Sequence, residues 1–155
     1  ELGVVIGKKA FRVSPQEALD YVAGLTIFND LSARDIQARE HANKVILLGK
    51  SFNGSCPLGP YLVTLDEVGD VNDLDMQLTL NGQPRQTSNS SRLHYKVADM
   101  VSWWSNTTLE PGDVITSGSP PGVIAGSENP IYLKNGDRID CNIAKLGTLT
   151  TFITD

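Results

Sequence analysis

Residues 24–60 read GLTIFNDLSARDIQAREHANKVILLGKSFNGSCPLGP, and the fold is organised around this stretch. Leu25, Thr26, Ile27 and Phe28 are apolar or β-branched in an unbroken run, the pattern of a buried strand. Asn29 and Asp30 put polar groups where that strand ends. Ser32 with Asp35 three residues on predicts a helix start, Asp being a weaker partner there than Glu or Gln. Arg34 and Gln37 lie three apart and share a face of the short helix that follows. Lys50 stands between Gly49 and Ser51, ahead of a turn rich in Gly and Pro. A carboxylate, a guanidinium, an amide and an ammonium thus come from one corner of the chain. Each also has an ordinary role open to it. Asp30 can form a turn, Arg34 can pair with Asp35 on the surface, and Lys50 can reach solvent.

Outward from this stretch, Leu2–Ile6 reads as a second buried strand. Ser14-Pro15-Gln16-Glu17 carries a capping serine, a first-turn proline and a glutamate at the box position, which predicts a helix running to Ala23. Strands are expected over 61–64 and 74–80, the latter alternating apolar and polar residues, with an acidic loop over 66–73 between them. Asn81-Gly82 predicts a type I′ hairpin turn, and Pro84 places the returning strand at an edge. Residues 87–92 read as a polar loop. Val97, Met100, Val101 and Trp104 fall at helical spacing, with the aromatics expected in the core. A strand over 114–116 leads into Ser117-Gly118-Ser119-Pro120-Pro121-Gly122, a loop that lets a ligand approach the main chain. Residues 138–143 and 148–153 suggest a closing antiparallel pair. About eight short strands against three helices predict an α+β, β-rich domain with peripheral helices.

At 155 residues the chain is long enough for one domain with its own core. Its formal net charge of −5, with no basic run, argues against nucleic acid as a partner. No apolar run approaches membrane-spanning length, so no membrane partner is expected. Cys56 and Cys141 are too few for a disulfide framework and have no zinc-site spacing, so both are expected as buried free thiols in a reducing compartment.

Several separated strings agree in order with one family. NDLSARDIQ (29–37), GKSFNGSCPLGPYLVT (49–64), ELGVVIGK (1–8), LNGQPRQ (80–86) and LEPGDVITSGSPPGV (109–123) resemble the fumarylacetoacetate hydrolase family across nearly the whole chain. The resemblance implies the mixed β-sandwich roll of that family's catalytic domain over residues 1–155. A homodimer is expected as well, in the cytoplasm or another reducing compartment such as the mitochondrial matrix. The resemblance further implies a divalent ion, Mg²⁺ or Mn²⁺ with Ca²⁺ as the other candidate, acting on a small 2-oxo acid or 1,3-dicarbonyl substrate. Acylpyruvate C–C hydrolysis comes first among the reactions implied, beside decarboxylation of a 2-oxo diacid and keto–enol isomerisation, all through one enolate.

The residue roles follow from the same resemblance. Glu1 and Asp30 would be metal ligands, Glu1 being the second member of the family's Glu-x-Glu strand. Lys50 and Arg34 would face the developing oxyanion, and Gln37 would hydrogen-bond the substrate. Arg34, Gln37 and Ser119, the last where the family commonly has Thr, would bind substrate. The family's histidine–glutamate base comes from a segment ahead of Glu1, and neither His41 nor His94 matches it. A chain opening on a strand at Glu1 is therefore expected to be a fragment that binds weakly and turns over little. A non-catalytic module that keeps the roll is the competing reading.

Overall fold

The computed structural model describes residues 1–125 and 127–154. Among these residues, eight strands form two four-stranded sheets. The first holds β1 (Leu2–Ile6), β2 (Val22–Phe28), β3 (Leu58–Val63) and β6 (Val114–Thr116), in the order β3-β2-β1-β6. The second holds β4 (Asp75–Leu80), β5 (Gln83–Asn89), β7 (Arg138–Ile143) and β8 (Gly147–Phe152), in the order β5-β4-β7-β8. Every described pairing between these strands is antiparallel. Three helices of the described residues, α1 (Arg34–Ala42), α2 (Leu65–Val68) and α3 (Val97–Trp104), lie in the connections.

The apolar runs explain the layering. Leu2, Val4, Ile6, Leu25 and Ile27 of the first sheet join Met76, Leu80, Ile139, Cys141 and Ile143 of the second in one buried cluster. Burying each leucine or isoleucine fully is worth about 1.5–3 kcal/mol, so the interface between sheets is the main favourable term. Asn81 and Gly82 have φ of +50° and +77°, as a type I′ turn requires, between paired Leu80 and Gln83. Pro84 lies on β5, the outer strand of its sheet, as expected.

Five expectations need correction. The helix predicted over 14–23 is a single 3₁₀ turn, Ala18–Tyr21. Ser14 and Glu17 do meet, but the serine hydroxyl donates to the glutamate at 2.6 Å instead of capping a backbone N–H. Val22 pairs with Ile6 across the sheet, and that ladder takes the residues a longer helix would need. The acidic loop contains α2, and the polar loop from residue 87 is the second half of β5. Trp103 and Trp104 are 72% and 54% exposed. At that end of α3 the chain turns Ser105 inward, its hydroxyl accepting from Val13 N–H at 2.9 Å and donating to Ser102 C=O at 2.7 Å. Cys56 is exposed, and only Cys141 is buried.

Candidate active site

The ends of the two inner strands of the first sheet deliver two carboxylates to one cleft. Pairing of β1 with β2 continues past the strands, where Phe28 N–H donates to Glu1 C=O at 3.0 Å. Glu1 therefore lies beside the end of β2, two residues before Asp30. The segment after β6 closes the other side. Leu2 N–H donates to the Ser117 hydroxyl at 3.0 Å. Glu1 Oε1 accepts from the Ser119 hydroxyl at 2.7 Å, and Oε2 accepts from Gly118 N–H at 3.1 Å.

The ammonium of Lys50 meets Asp30 from behind, forming an ion pair in which both side chains are about three-quarters covered. What holds Lys50 there is the turn before it. The Glu40 carboxylate accepts from Leu47, Leu48 and Gly49 N–H at 3.2, 2.6 and 3.1 Å. Partial desolvation pushes the Glu40 pKa up, and the bonds from Leu47, Gly49 and Leu48 outweigh it, so the carboxyl sits below its usual range. Gly49 packs tightly on α1: a Cβ there would stand 3.0 Å from both Cβ and backbone N of Gln37. Ala33 N–H also bonds Gly49 C=O at 3.0 Å, so α1 and the lysine turn form one body. The Ser55 hydroxyl donates to Lys50 C=O at 2.9 Å.

Helix α1 begins without a side-chain cap. Ser32 donates to Asp30 C=O at 3.4 Å, and Asp35 pairs with Arg39 at 3.1 Å, so the expected cap pair is not made. Arg34 Nη1 donates to Gln37 Oε1 at 2.6 Å, and buried Gln37 fixes the guanidinium.

The cleft has a volume of about 860 Å³, within the range of small-molecule sites. Glu1, Asp30, Arg34 and Ser119 line it. Lys50 reaches it through Asp30, and Gln37 through Arg34. Neither histidine lines it: His41 is on the last turn of α1, and His94 stacks edge-on against Tyr95 at 4.6 Å. Three residues given no role from sequence belong to the arrangement. Glu40 holds the lysine turn. Asn29 is buried on the cleft with its amide nitrogen unpaired among the described residues. Arg85 lines the opposite wall. LNGQPRQ was a visible signal for Arg85, whereas nothing in local spacing marks Glu40.

Among the described residues no three acidic, histidine or cysteine groups cluster as a metal set. Glu1 and Asp30 are nevertheless hard oxygen donors facing one cleft, the donor type that magnesium and manganese prefer. In kind they fit such an ion.

Two antiparallel sheets with a polar cleft at the strand ends define an α+β protein built as a β-sandwich roll. The family model for the fumarylacetoacetate hydrolase C-terminal domain matches residues 1–154, and the chain belongs to that family. It is 44% identical over 150 residues to the human protein named oxaloacetate tautomerase FAHD2A, mitochondrial, covering 96% of this chain and 48% of that protein. A fumarylacetoacetate hydrolase from Exiguobacterium antarcticum superposes with a TM-score of 0.93 at 38% identity, covering 99% of this chain and 55% of the other. A fumarylpyruvate hydrolase from Pseudomonas aeruginosa, solved with Mn²⁺ and pyruvate, superposes at 0.89 with 30% identity, covering 99% and 64%. The chain spans about half the length of the curated relatives it matches. Relatives thus include tautomerases and hydrolases of oxo acids. No helix among the described residues is long and apolar enough to cross a membrane.

Proposed function

We propose that this chain forms the substrate cleft of an enzyme that interconverts the keto and enol forms of a 2-oxo diacid, with oxaloacetate as the model substrate. The observation that carries the reading is the convergence of Glu1, Asp30, Arg34 and Ser119 on one cleft, with Lys50 behind Asp30. The name of the human relative supports tautomerisation over the acylpyruvate hydrolysis that the sequence resemblance placed first.

Tautomerisation moves a proton between C3 and the oxygen on C2, and negative charge builds on that oxygen in between. Arg34 and Lys50 supply fixed positive charge at the first-sheet end, and fixed donors of this kind stabilise developing charge without reorganising. Gln37 holds the Arg34 guanidinium in place. The Ser119 hydroxyl and Gly118 N–H donate to Glu1 at the rim, and would serve the substrate's carboxylate once that contact is released. Glu1 and Asp30 would hold Mg²⁺ or Mn²⁺, which when bound supplies Lewis-acid polarisation of the 2-oxo group. Neither histidine lines the cleft; the proton-accepting side chains that do are the carboxylates of Glu1, Asp30 and Asp35. Mitochondrial relatives support the matrix among the reducing compartments.

The test follows enol absorbance of oxaloacetate and cleavage of acetylpyruvate with the intact protein and its Lys50→Met variant. Accelerated ketonisation, lowered about 10²- to 10³-fold in kcat by Lys50→Met, is expected. Cleavage of acetylpyruvate without tautomerisation would make the protein a hydrolase, and activity on neither would make it a binding module.

A further inference from the structure

The wall opposite the acidic corner belongs to the second sheet. Leu78 and Leu80 of β4, Ile139 of β7, and Pro84, Arg85 and Gln86 of β5 line it. Among the described residues Arg85 is the one charged group on that wall. The three acids that line the cleft, Glu1, Asp30 and Asp35, belong to the first sheet's side.

Its position comes from an irregularity in register. Leu78 pairs with Gln86 and Thr79 with Pro84, which leaves Arg85 as the extra residue of a bulge. Bulges re-aim side chains next to sites. The backbone at this bulge is clamped by the segment that follows Ser119. Gln86 Nε2 donates to Pro120 C=O at 3.3 Å. Gly122 lies so close that a Cβ on it would stand 2.3 Å from Arg85 C=O. The Arg85 guanidinium has no hydrogen-bond or ion-pair partner among the described residues. A clamped backbone thus presents an uncommitted cation on an otherwise uncharged wall of the cleft that Arg34 also lines.

We propose that Arg85 is the specificity-determining residue that receives the distal carboxylate of a dicarboxylic 2-oxo acid; this rests on the reading of the cleft as a 2-oxo acid site. A diacid has an anionic group at each end: the 2-oxo end belongs with Arg34, Lys50 and Ser119 on the first-sheet side, and the far end is left for Arg85. A monoacid such as pyruvate has nothing for Arg85 to hold. Arginine suits the task, since its planar fork binds a carboxylate through two parallel bonds.

The experiment measures dissociation constants of oxaloacetate and pyruvate by calorimetry on the intact protein, its Arg85→Met variant and its Arg85→Lys variant, beside wild-type ketonisation. Arg85→Met is expected to weaken oxaloacetate about 10- to 100-fold, the range for losing a charged hydrogen-bond partner, and to leave pyruvate within about twofold. Arg85→Lys should recover part of the loss. Equal weakening of both ligands would assign Arg85 to the shared end of the substrate or to the fold, and no change in either would remove it from the site. Both outcomes overturn the proposal. Tight oxaloacetate binding without ketonisation refutes the tautomerase reading alone, so the two failures are distinguishable.

Discussion

Gly122→Ala should loosen the cleft more than it loosens the protein. Gly122 has φ of +107°, and the alanine Cβ would stand 2.3 Å from Arg85 C=O. An ordinary carbon–oxygen contact is about 3.3 Å or more, so the chain must give by roughly 1 Å. Holding a side chain at positive φ costs about 1–2 kcal/mol. Overpacking of this size costs about 1–3 kcal/mol more if nothing moves. The neighbourhood decides which way the strain goes. Residues 121–123 are exposed, so the segment can lift from β5 at the cost of the Gln86–Pro120 bond. The net loss should then be about 1–2 kcal/mol, which for a domain near this size lowers Tm by roughly 2–8 °C. Oxaloacetate affinity should fall as well, because the clamp on Arg85 opens. Gly118→Ala is the control for stability: its φ is +83°, but its Cβ would meet no atom within 4 Å. Scanning calorimetry and oxaloacetate titration on both variants decide. If Gly122→Ala lowers Tm no more than Gly118→Ala, or leaves oxaloacetate affinity at the wild-type value, the close approach does not clamp the site.

The remaining expectations are simpler to state. Asp30→Ala should abolish binding of Mg²⁺ or Mn²⁺ in a calorimetric titration, and unchanged binding would remove Asp30 from the donor set. Asp137, bonded by Asn81 and Lys134 N–H, and Asp140, bonded by the Thr150 hydroxyl and Arg138, both sit below the usual carboxylate pKa. Their stabilisation is full above about pH 4, the unfolded value, and is lost as pH falls through the lower folded values. Asp137→Asn should accordingly flatten the acid limb of a stability-against-pH curve. Of the two thiols, exposed Cys56 should react with a thiol reagent in the native state. Cys141, whose pKa burial pushes up, should react only after unfolding.

The parts of the fold legible in the sequence are those where one local pattern settles the matter. The alternation over residues 74–80 and the Asn81-Gly82 pair define a hairpin that no distant contact alters. Residues 14–23 fail for the opposite reason. Their capping pattern is genuine, and the Ser14–Glu17 contact forms, yet Val22 has a sheet partner in Ile6 and the ladder takes it. The site divides likewise. Asp30, Arg34 and Gln37 stand within one short string, so their proximity was readable. Glu40 depends on the chain doubling back by seven to nine residues onto its carboxylate. Arg85 depends on a one-residue slip in register between β4 and β5. Neither has a periodic signature.

The division of the cleft between two sheets has an evolutionary consequence. The acidic corner and Lys50 are anchored to β1, β2 and α1, whereas the wall proposed to meet the far end of a ligand belongs to β4, β5 and β7. On the proposed reading, substitution of Arg85 on the outer strand β5 would re-tune which oxo acid is accepted while leaving Asp30, Arg34 and Lys50 in place. On that reading a designer could alter ligand choice by varying residue 85 alone.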